Sequence, residues 1–290
     1  MTPTPPAGAS ASGGAGLRAV RYLVRVPMLL WHLLVHLPLV LLLITLPTRH
    51  LRLGAERLED RLIRAWSAGM MRVFGFRLRR TGTPLAGATL FVANHVSWID
   101  IEALHSQRMM GFVAKREIEG WPLVGWLAAR GQTIFHHRGS TESLGGVMHE
   151  MLRRLRTGRS VGVFPEGGAK SGGHAIGPFH ARIFTAAVEA GVPVQPVALV
   201  YGEHGAAQPR VAFAPGETFL GNFLRLLGEP ARTATIAFLE PIPPGGADGR
   251  RRIADLARTR IVEAFGSGGA GTGNGEWGSP ATRATREPSP

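Results

Sequence analysis

The chain has 290 residues, 44% hydrophobic and 18% charged, with 33 Lys and Arg against 20 Asp and Glu for a formal net charge of +13. That length suffices for one large domain with appendages or two small ones, and the composition is more apolar and less charged than a typical soluble domain, which hints at lipid. The absence of cysteine excludes disulfides, thiolate metal sites and a cysteine nucleophile, while the basic excess points to polyanions: nucleic acid, anionic headgroups or an acidic carrier protein.

Residues 1–17 (MTPTPPAGASASGGAGL) offer almost nothing apolar to bury and are expected to be a disordered tail. Residues 18–52 are expected to form a membrane-associated helical segment, because positions 26–46 (VPMLLWHLLVHLPLVLLLITL) carry no formal charge. As a helix that run approaches the roughly 30 Å of a bilayer core. His32, His36 and Pro38 make it an imperfect span, so a re-entrant or single-leaflet helix competes with a full crossing, and a buried core helix is the third reading. Arg18, Arg21 and Arg25 precede the run and Arg49 and Arg52 follow it, so positive charge sets no orientation.

Residues 53–266 are expected to be the main domain. Within it, 55–73 (AERLEDRLIRAWSAGMMRV) reads as an amphipathic helix that packs on the domain or lies on a membrane surface. Strands are expected at 74–80, 88–93, 111–115, 132–135, 160–164, 194–200 and 232–239. Helices are expected at 98–107, 141–157, 179–190 with Gly191 as the stop, and 248–265. This alternation predicts an α/β fold: a mixed, largely parallel sheet flanked by helices, preceded by the N-terminal membrane-associated region. Residues 267–290 are expected to be a second disordered tail.

Two stretches carry chemistry. In FVANHVSWIDIEAL (91–104) an apolar strand runs into Asn94 and His95, with Asp100 five residues beyond His95. One reading has Ser97 cap a helix whose capping box Asp100 closes. It leaves Asn94 and His95 unexplained at a strand's carboxyl end, the usual place for a ligand crevice in an α/β sheet. Within one helix the side chains of His95 and Asp100 would point about 140° apart, but a loop His95 and a first-turn Asp100 can meet. The carboxylate would then fix the imidazole tautomer and support the cation formed when His95 acts as general base.

In SVGVFPEGGAKSGGHAIGPFHARIF (160–184) a strand enters a glycine-rich loop bearing Glu166, Gly167 and Lys170, a loop able to cradle a phosphate. Ala169 stands before Lys170 where a Walker loop needs Gly, so nucleotide hydrolysis loses its main support. His149 and Glu150 fall short of H-E-x-x-H because Arg153 takes the last place; no metal is expected.

Asn94-His95-x4-Asp100 followed by Phe164-Pro165-Glu166-Gly167 resembles the glycerolipid acyltransferase family, which includes 1-acylglycerol-3-phosphate acyltransferases. FVAKREIEGWPLVGW (112–126) with IFHHRGS (134–140), and VPVQPVAL (192–199), match in the same order, so the resemblance covers residues 75–200 in four blocks. It implies an α/β domain with an N-terminal membrane-binding region and transfer of a fatty acyl group from a thioester to a lysolipid hydroxyl. His95 would be the general base and Asp100 its orienting partner. Asn94, Glu166 and Gly167 would shape the acceptor site, with Lys115, Arg138 and Lys170 binding the acceptor phosphate or nearby polar groups, and Pro193 and Pro196 shaping its wall.

No bound cofactor is implied; acyl-CoA or acyl-ACP would be the donor substrate, and the lysolipid acceptor and the lipid bilayer the other partners. Nucleic acid is not expected, since no array of aromatics interleaved with basic residues accompanies the charge. The expected location is the cytoplasmic (inner) membrane with the site on its cytoplasmic face. Where many members have Glu-Gly-Thr-Arg this chain has Glu166-Gly167-Gly168-Ala169, so no guanidinium grips a phosphate there. The acceptor is therefore 1-acyl-sn-glycerol-3-phosphate, giving phosphatidic acid, or another lysolipid such as lyso-ornithine lipid. The reading from a different class is a non-catalytic basic membrane-binding protein.

Overall fold

The computed structural model describes residues 9–45, 51–54, 56–121, 124–136, 141–169 and 176–266. The expected C-terminal tail lies outside them. Helix α1 (Ala9–Trp31) continues through a π-helical turn (His32–His36) into α2 (Leu37–Thr45). The helix thus begins well inside the stretch expected to be a tail. The last proline before it is Pro6, and once residues 21–31 are docked, extending the helix back through alanine-bearing positions needs no new nucleation.

This helix lies along the flank of the domain. Arg25, Leu29, His32, Leu37 and Val40 are buried, while Leu23, Trp31, Leu34, Leu39 and Leu42 on other faces are exposed. The step from His32 to Leu37 is five residues, which in an α-helix would rotate the stripe by about 140°. The π turn, with more residues per turn, absorbs that offset and keeps one face against the domain. By length and composition the helix from Ala15 to Thr45 could cross a membrane.

Polar contacts fix its placement. The Arg25 guanidinium donates to the carbonyls of Leu227 (2.9 Å) and Glu229 (2.7 Å), and the Tyr22 hydroxyl to that of Leu224 (2.8 Å). These carbonyls lie at the C-terminal end of a later helix, where unpaired oxygens favour a cation. His32 Nε2 lies 3.0 Å from the Trp66 carbonyl and its ring stacks on Trp66. Gly69 permits this approach, since a Cβ there would sit 2.5 Å from His32 Cε1.

A two-residue hairpin, β1 (Arg52–Leu53) and β2 (Glu56–Arg57), leads into α3 (Leu58–Val73). The amphipathic helix packs on the domain, burying Ser67, Met70, Met71 and Val73. Then follow β3 (Phe76–Thr81), β4 (Leu90–Ala93), α4 (Ile99–His105), β5 (Gly111–Lys115), a 3-10 turn (Arg116–Gly120), α5 (Val124–Arg130) and β6 (Ile134–His136). Next come α6 (Thr141–Arg156), β7 (Val161–Val163), a 3-10 turn (Ala181–Phe184), α7 (Thr185–Ala190) and β8 (Val194–Tyr201). After a 3-10 turn (Glu203–Gly205) come α8 (Gln208–Val211), α9 (Phe219–Gly228), β9 (Arg232–Phe238) and α10 (Gly249–Gly266), the last of the described elements. All seven expected strands form, and Gly191 closes α7 in the left-handed conformation (φ 64°).

The seven strands make one sheet in the order β3-β9-β8-β4-β7-β5-β6. Its pairs are parallel except β8 with β9, so the sheet is mixed and largely parallel. Alternation along β4 sends Phe91 and Ala93 to a core shared with α3, α4 and α9, and Leu90 and Val92 to a core shared with α6, α7 and α10. Sequence patterning leaves α5, α8, α9 and the hairpin unassigned; the first two are short, and α9 packs against α1 and Trp98 as well as the sheet core.

At the α3–α4 contact Glu102 has no partner for Oε2 among the described residues. Burial pushes its carboxyl up to about 7, only partly offset by Ser67. Its folded value lies above the ordinary one, so its contribution to stability is complete below about 4.5 and lost as pH rises through about 7. Glu102→Gln removes this loss: urea unfolding at pH 8 is expected to show a gain on the order of 1–3 kcal/mol over the parent, and at pH 4.5 little difference.

Candidate active site

The middle of the sheet, β8-β4-β7, runs parallel, so three carboxyl ends open on one edge and bring together residues far apart in the chain. After β4, the Asn94 side chain extends the ladder: Nδ2 donates to the Leu199 carbonyl (3.0 Å) and Oδ1 accepts the Leu199 N–H (2.8 Å). This peptide-like pair fixes where the chain leaves the sheet. Asn94 is 2% exposed and its amide is engaged on backbone.

His95 follows, its side chain 18% exposed, with Nδ1 2.9 Å from Asp100 Oδ2. Asp100 is fully buried in the first turn of α4, and the same Oδ2 accepts the N–H groups of Val96 (2.6 Å) and Ser97 (2.9 Å). The Ser97 contact is the reach-back half of a capping box. One carboxylate thus reaches back to the Ser97 amide and also holds the imidazole; Ser97 itself is not the N-cap of the helix, a position held by Trp98 with no side-chain capping bond. Because a carboxylate accepts, Nδ1 carries the hydrogen, and Nε2, which has no partner among the described residues, keeps its lone pair.

The imidazole plane is set by stacking. Phe164, just past β7, lies parallel to it at 4.1 Å and 14°, and Phe112 of β5 backs Phe164 at 5.4 Å. Residue typing missed this role of Phe164; its signal was the residue's place directly before Pro165 and Glu166. Glu166 takes the His95 backbone N–H on Oε1 (3.0 Å) and the Gly177 N–H on Oε2 (2.7 Å). Both ends of its carboxylate thus staple the β4 exit to the far end of the glycine-rich loop. Arg258 of α10 continues the staple, donating to the carbonyls of Ile176 and Gly177 (both 2.8 Å). Gly167 has φ 79°, and a Cβ there would come within 3.2 Å of His180 Nε2, so this turn favours glycine.

Tyr201, the last residue of β8, was also missed. Its hydroxyl donates to Asp100 Oδ1 at 2.6 Å. Burial first, then the Asp100 charge, hold the phenol well above its ordinary value. Lys115 is exposed at the carboxyl end of β5, while Arg138 and Lys170 lie outside the described residues. Pro196 pairs with Val92 inside the sheet and Pro193 precedes β8, at the edge opposite His95. The expected wall is therefore not built from Pro193: β8 runs parallel to β4, which puts its start far from the β4 exit. Among the described residues no group of three or more His, Cys, Asp or Glu could hold a metal ion. The arrangement is a fixed-tautomer base on a buried anion, suited to taking a proton from a hydroxyl.

Residues 77–200 match the family model described as Acyltransferase. The chain is 38% identical over 201 residues to a lyso-ornithine lipid O-acyltransferase of Pseudomonas aeruginosa, covering 69% of this chain and 76% of that protein. It is 32% identical over 164 residues to a 1-acyl-sn-glycerol-3-phosphate acyltransferase of Neisseria gonorrhoeae, covering 56% and 64%. The crystal structure of the 1-acyl-sn-glycerophosphate acyltransferase PlsC from Thermotoga maritima shares the fold, with a TM-score of 0.65 at 18% identity over 92% of this chain and 99% of that one. Agreement of this extent, reaching beyond the matched family segment, establishes that the chain belongs to the acyltransferase family and is an O-acyltransferase.

Proposed function

We propose that the protein moves a fatty acyl group from a thioester, carried by coenzyme A or an acyl carrier protein, onto the hydroxyl of a lysolipid at the cytoplasmic face of the inner membrane. The observation that carries this reading is the His95–Asp100 contact beside an imidazole edge that has no other partner among the described residues. Nε2 of His95 removes the acceptor hydroxyl proton as the oxygen attacks the thioester carbonyl carbon. The carbon–sulfur bond then breaks, and the proton passes to the departing thiolate, leaving an ester and a free thiol. Asp100 holds the ring and stabilises the imidazolium between the two proton transfers. No acyl-enzyme is needed, and the chain has no G-x-S-x-G elbow.

Residues 53–266 are assigned as the acyltransferase domain and 18–52 as its membrane segment. The exposed apolar residues of α1 and α2, more than a soluble surface tolerates in one stripe, favour contact with lipid. Lys115, Gly167, Arg138 and Lys170 are assigned to the acceptor site, with Glu166 supporting it through its loop contacts.

The acceptor is 1-acyl-sn-glycerol-3-phosphate, and the product phosphatidic acid. A second reading, lyso-ornithine lipid, is favoured by the Pseudomonas relative and by Gly168-Ala169, which supply no guanidinium for a phosphate. Purified protein in detergent, given labelled acyl-CoA or acyl-ACP and both acceptors in parallel, is expected to acylate one of them at least tenfold faster, a gap of about 1.4 kcal/mol in transition-state stabilisation. Transfer to neither lysolipid from either donor would overturn the proposal.

A further inference from the structure

Asp100 carries the charge on which the site depends, and no water reaches it: the residue is 0% exposed. A buried carboxylate is tolerable only when donors surround it. Oδ2 receives three, from His95 Nδ1 and the amides of Val96 and Ser97. Oδ1 receives the Tyr201 hydroxyl. We infer that Tyr201 is a positioning residue of the transfer reaction, its O–H holding the outer oxygen of Asp100 so that the inner one stays aligned on His95. This rests on reading His95 and Asp100 as the acid–base pair.

The phenol is itself held. The Tyr201 N–H donates to Gln208 Oε1 (3.0 Å), its carbonyl accepts the Ala207 N–H (2.9 Å), and Gln208 Nε2 donates to the Leu199 carbonyl (3.0 Å). That same carbonyl takes Asn94 Nδ2, so one relay of buried amides ties the β8 terminus to the β4 exit. The ring leans on Phe76 with centroids 5.5 Å apart. Nothing in this frame lets the hydroxyl swing to another acceptor. Among the described residues, the titratable or charged groups near the pair include Glu166 on the His95 amide, His180 beside Gly167, Arg232, which lies over the Phe76 ring at 5.6 Å, Glu102 and His105 further along α4, and Lys115 at the end of β5. All of them are left in place when one phenolic oxygen is removed.

The role is electrostatic as well as geometric. A donor on Oδ1 draws charge away from Oδ2 and weakens its hold on the imidazolium. Without that donor the carboxylate binds the imidazolium more strongly, and His95 keeps its proton to higher pH. A strengthened donor does the reverse. Held in its neutral form by burial and by Asp100, the phenol acts as a fixed dipole and passes no proton.

The full chain is assayed with acyl thioester and its lysolipid acceptor across pH. Tyr201→Phe is expected to lower kcat about tenfold with acceptor KM within about twofold, and to move the acidic limb of the profile up by about half to one pH unit. The chain has two tyrosines, so 3-fluorotyrosine incorporated into a Tyr22→Phe background labels Tyr201 alone. The more acidic phenol is expected to move the acidic limb down relative to that background. Opposite shifts from the two changes identify electrostatic positioning; a limb unmoved in both overturns it. If thermal melting shows Tyr201→Phe unfolded, the fluorinated protein decides in the same way. His95→Ala in the same assay separates the levels: retained activity removes the acid–base reading, whereas lost activity with an unmoved limb removes only the role of Tyr201.

Discussion

His95→Ala is expected to abolish measurable transfer, a fall of roughly 10³- to 10⁴-fold in kcat with little change in acceptor KM. General-base assistance contributes about 10²–10⁴, and in the proposed mechanism the base also returns the proton to the leaving thiolate, so one deletion would remove both transfers. The ring contacts Asp100 and Phe164 but does not line the core, and the Val96 and Ser97 amides continue to hold Asp100. Unfolding free energy should therefore fall by no more than about 1–2 kcal/mol. Steady-state kinetics beside a urea melt make the separation: a variant that is folded, binds acceptor and turns over at the parent rate would show that the proton goes elsewhere.

Glu166→Gln carries the second large effect, and for a different reason. Both carboxylate oxygens accept backbone N–H groups, from His95 and Gly177. A glutamine presents one oxygen and one NH2, so whichever way it turns, a donor meets a donor. Charge-assisted hydrogen bonds contribute about 1.5–3 kcal/mol each, and the lost one falls either on His95, proposed to carry the base, or on the loop that Glu166 ties to it. The expected result is a fall in kcat of about 100-fold with about 2–3 kcal/mol lost from stability, and Glu166→Ala no worse than Glu166→Gln. Were Glu166 to act by contacting the acceptor, the glutamine would keep most of the activity and change KM instead. Kinetics and urea melts on both variants distinguish the two.

Much of the fold is written in local pattern. Short β-rich runs alternating with helical periodicity specified all seven strands and most of the helices of the main domain, because burial on a sheet and on a helix face imposes periods of 2 and 3.6 that show in any single segment. What escaped was short, as α5 and α8 are, or buried against other helices, as α9 is. The N-terminal helix was legible as an apolar run. Its π turn was not, because that turn answers to the offset between His32 and Leu37 on a face the domain defines.

The site divides along the same line. His95 and Asp100 were recoverable because they are five residues apart, at a strand end and a helix start, and local geometry alone lets them meet. Glu166 was visible as a polar residue at a strand's carboxyl end, but its two amide partners were not. Asn94 was legible as a polar residue at a strand end, but its pairing with the Leu199 backbone was not, since Leu199 is 105 positions away. Tyr201 stands 101 positions from Asp100 and carries no local mark of its role.

The order of residues along the chain thus settles which segments form strands and helices, and which imidazole can meet which carboxylate. Which polar groups complete that pair is settled by strand order: placing β8, β4 and β7 side by side puts Tyr201, Asn94 with His95, and Glu166 on one edge. Hydrogen bonds act over about 3 Å, and only the folded sheet brings groups so distant in the chain within that reach.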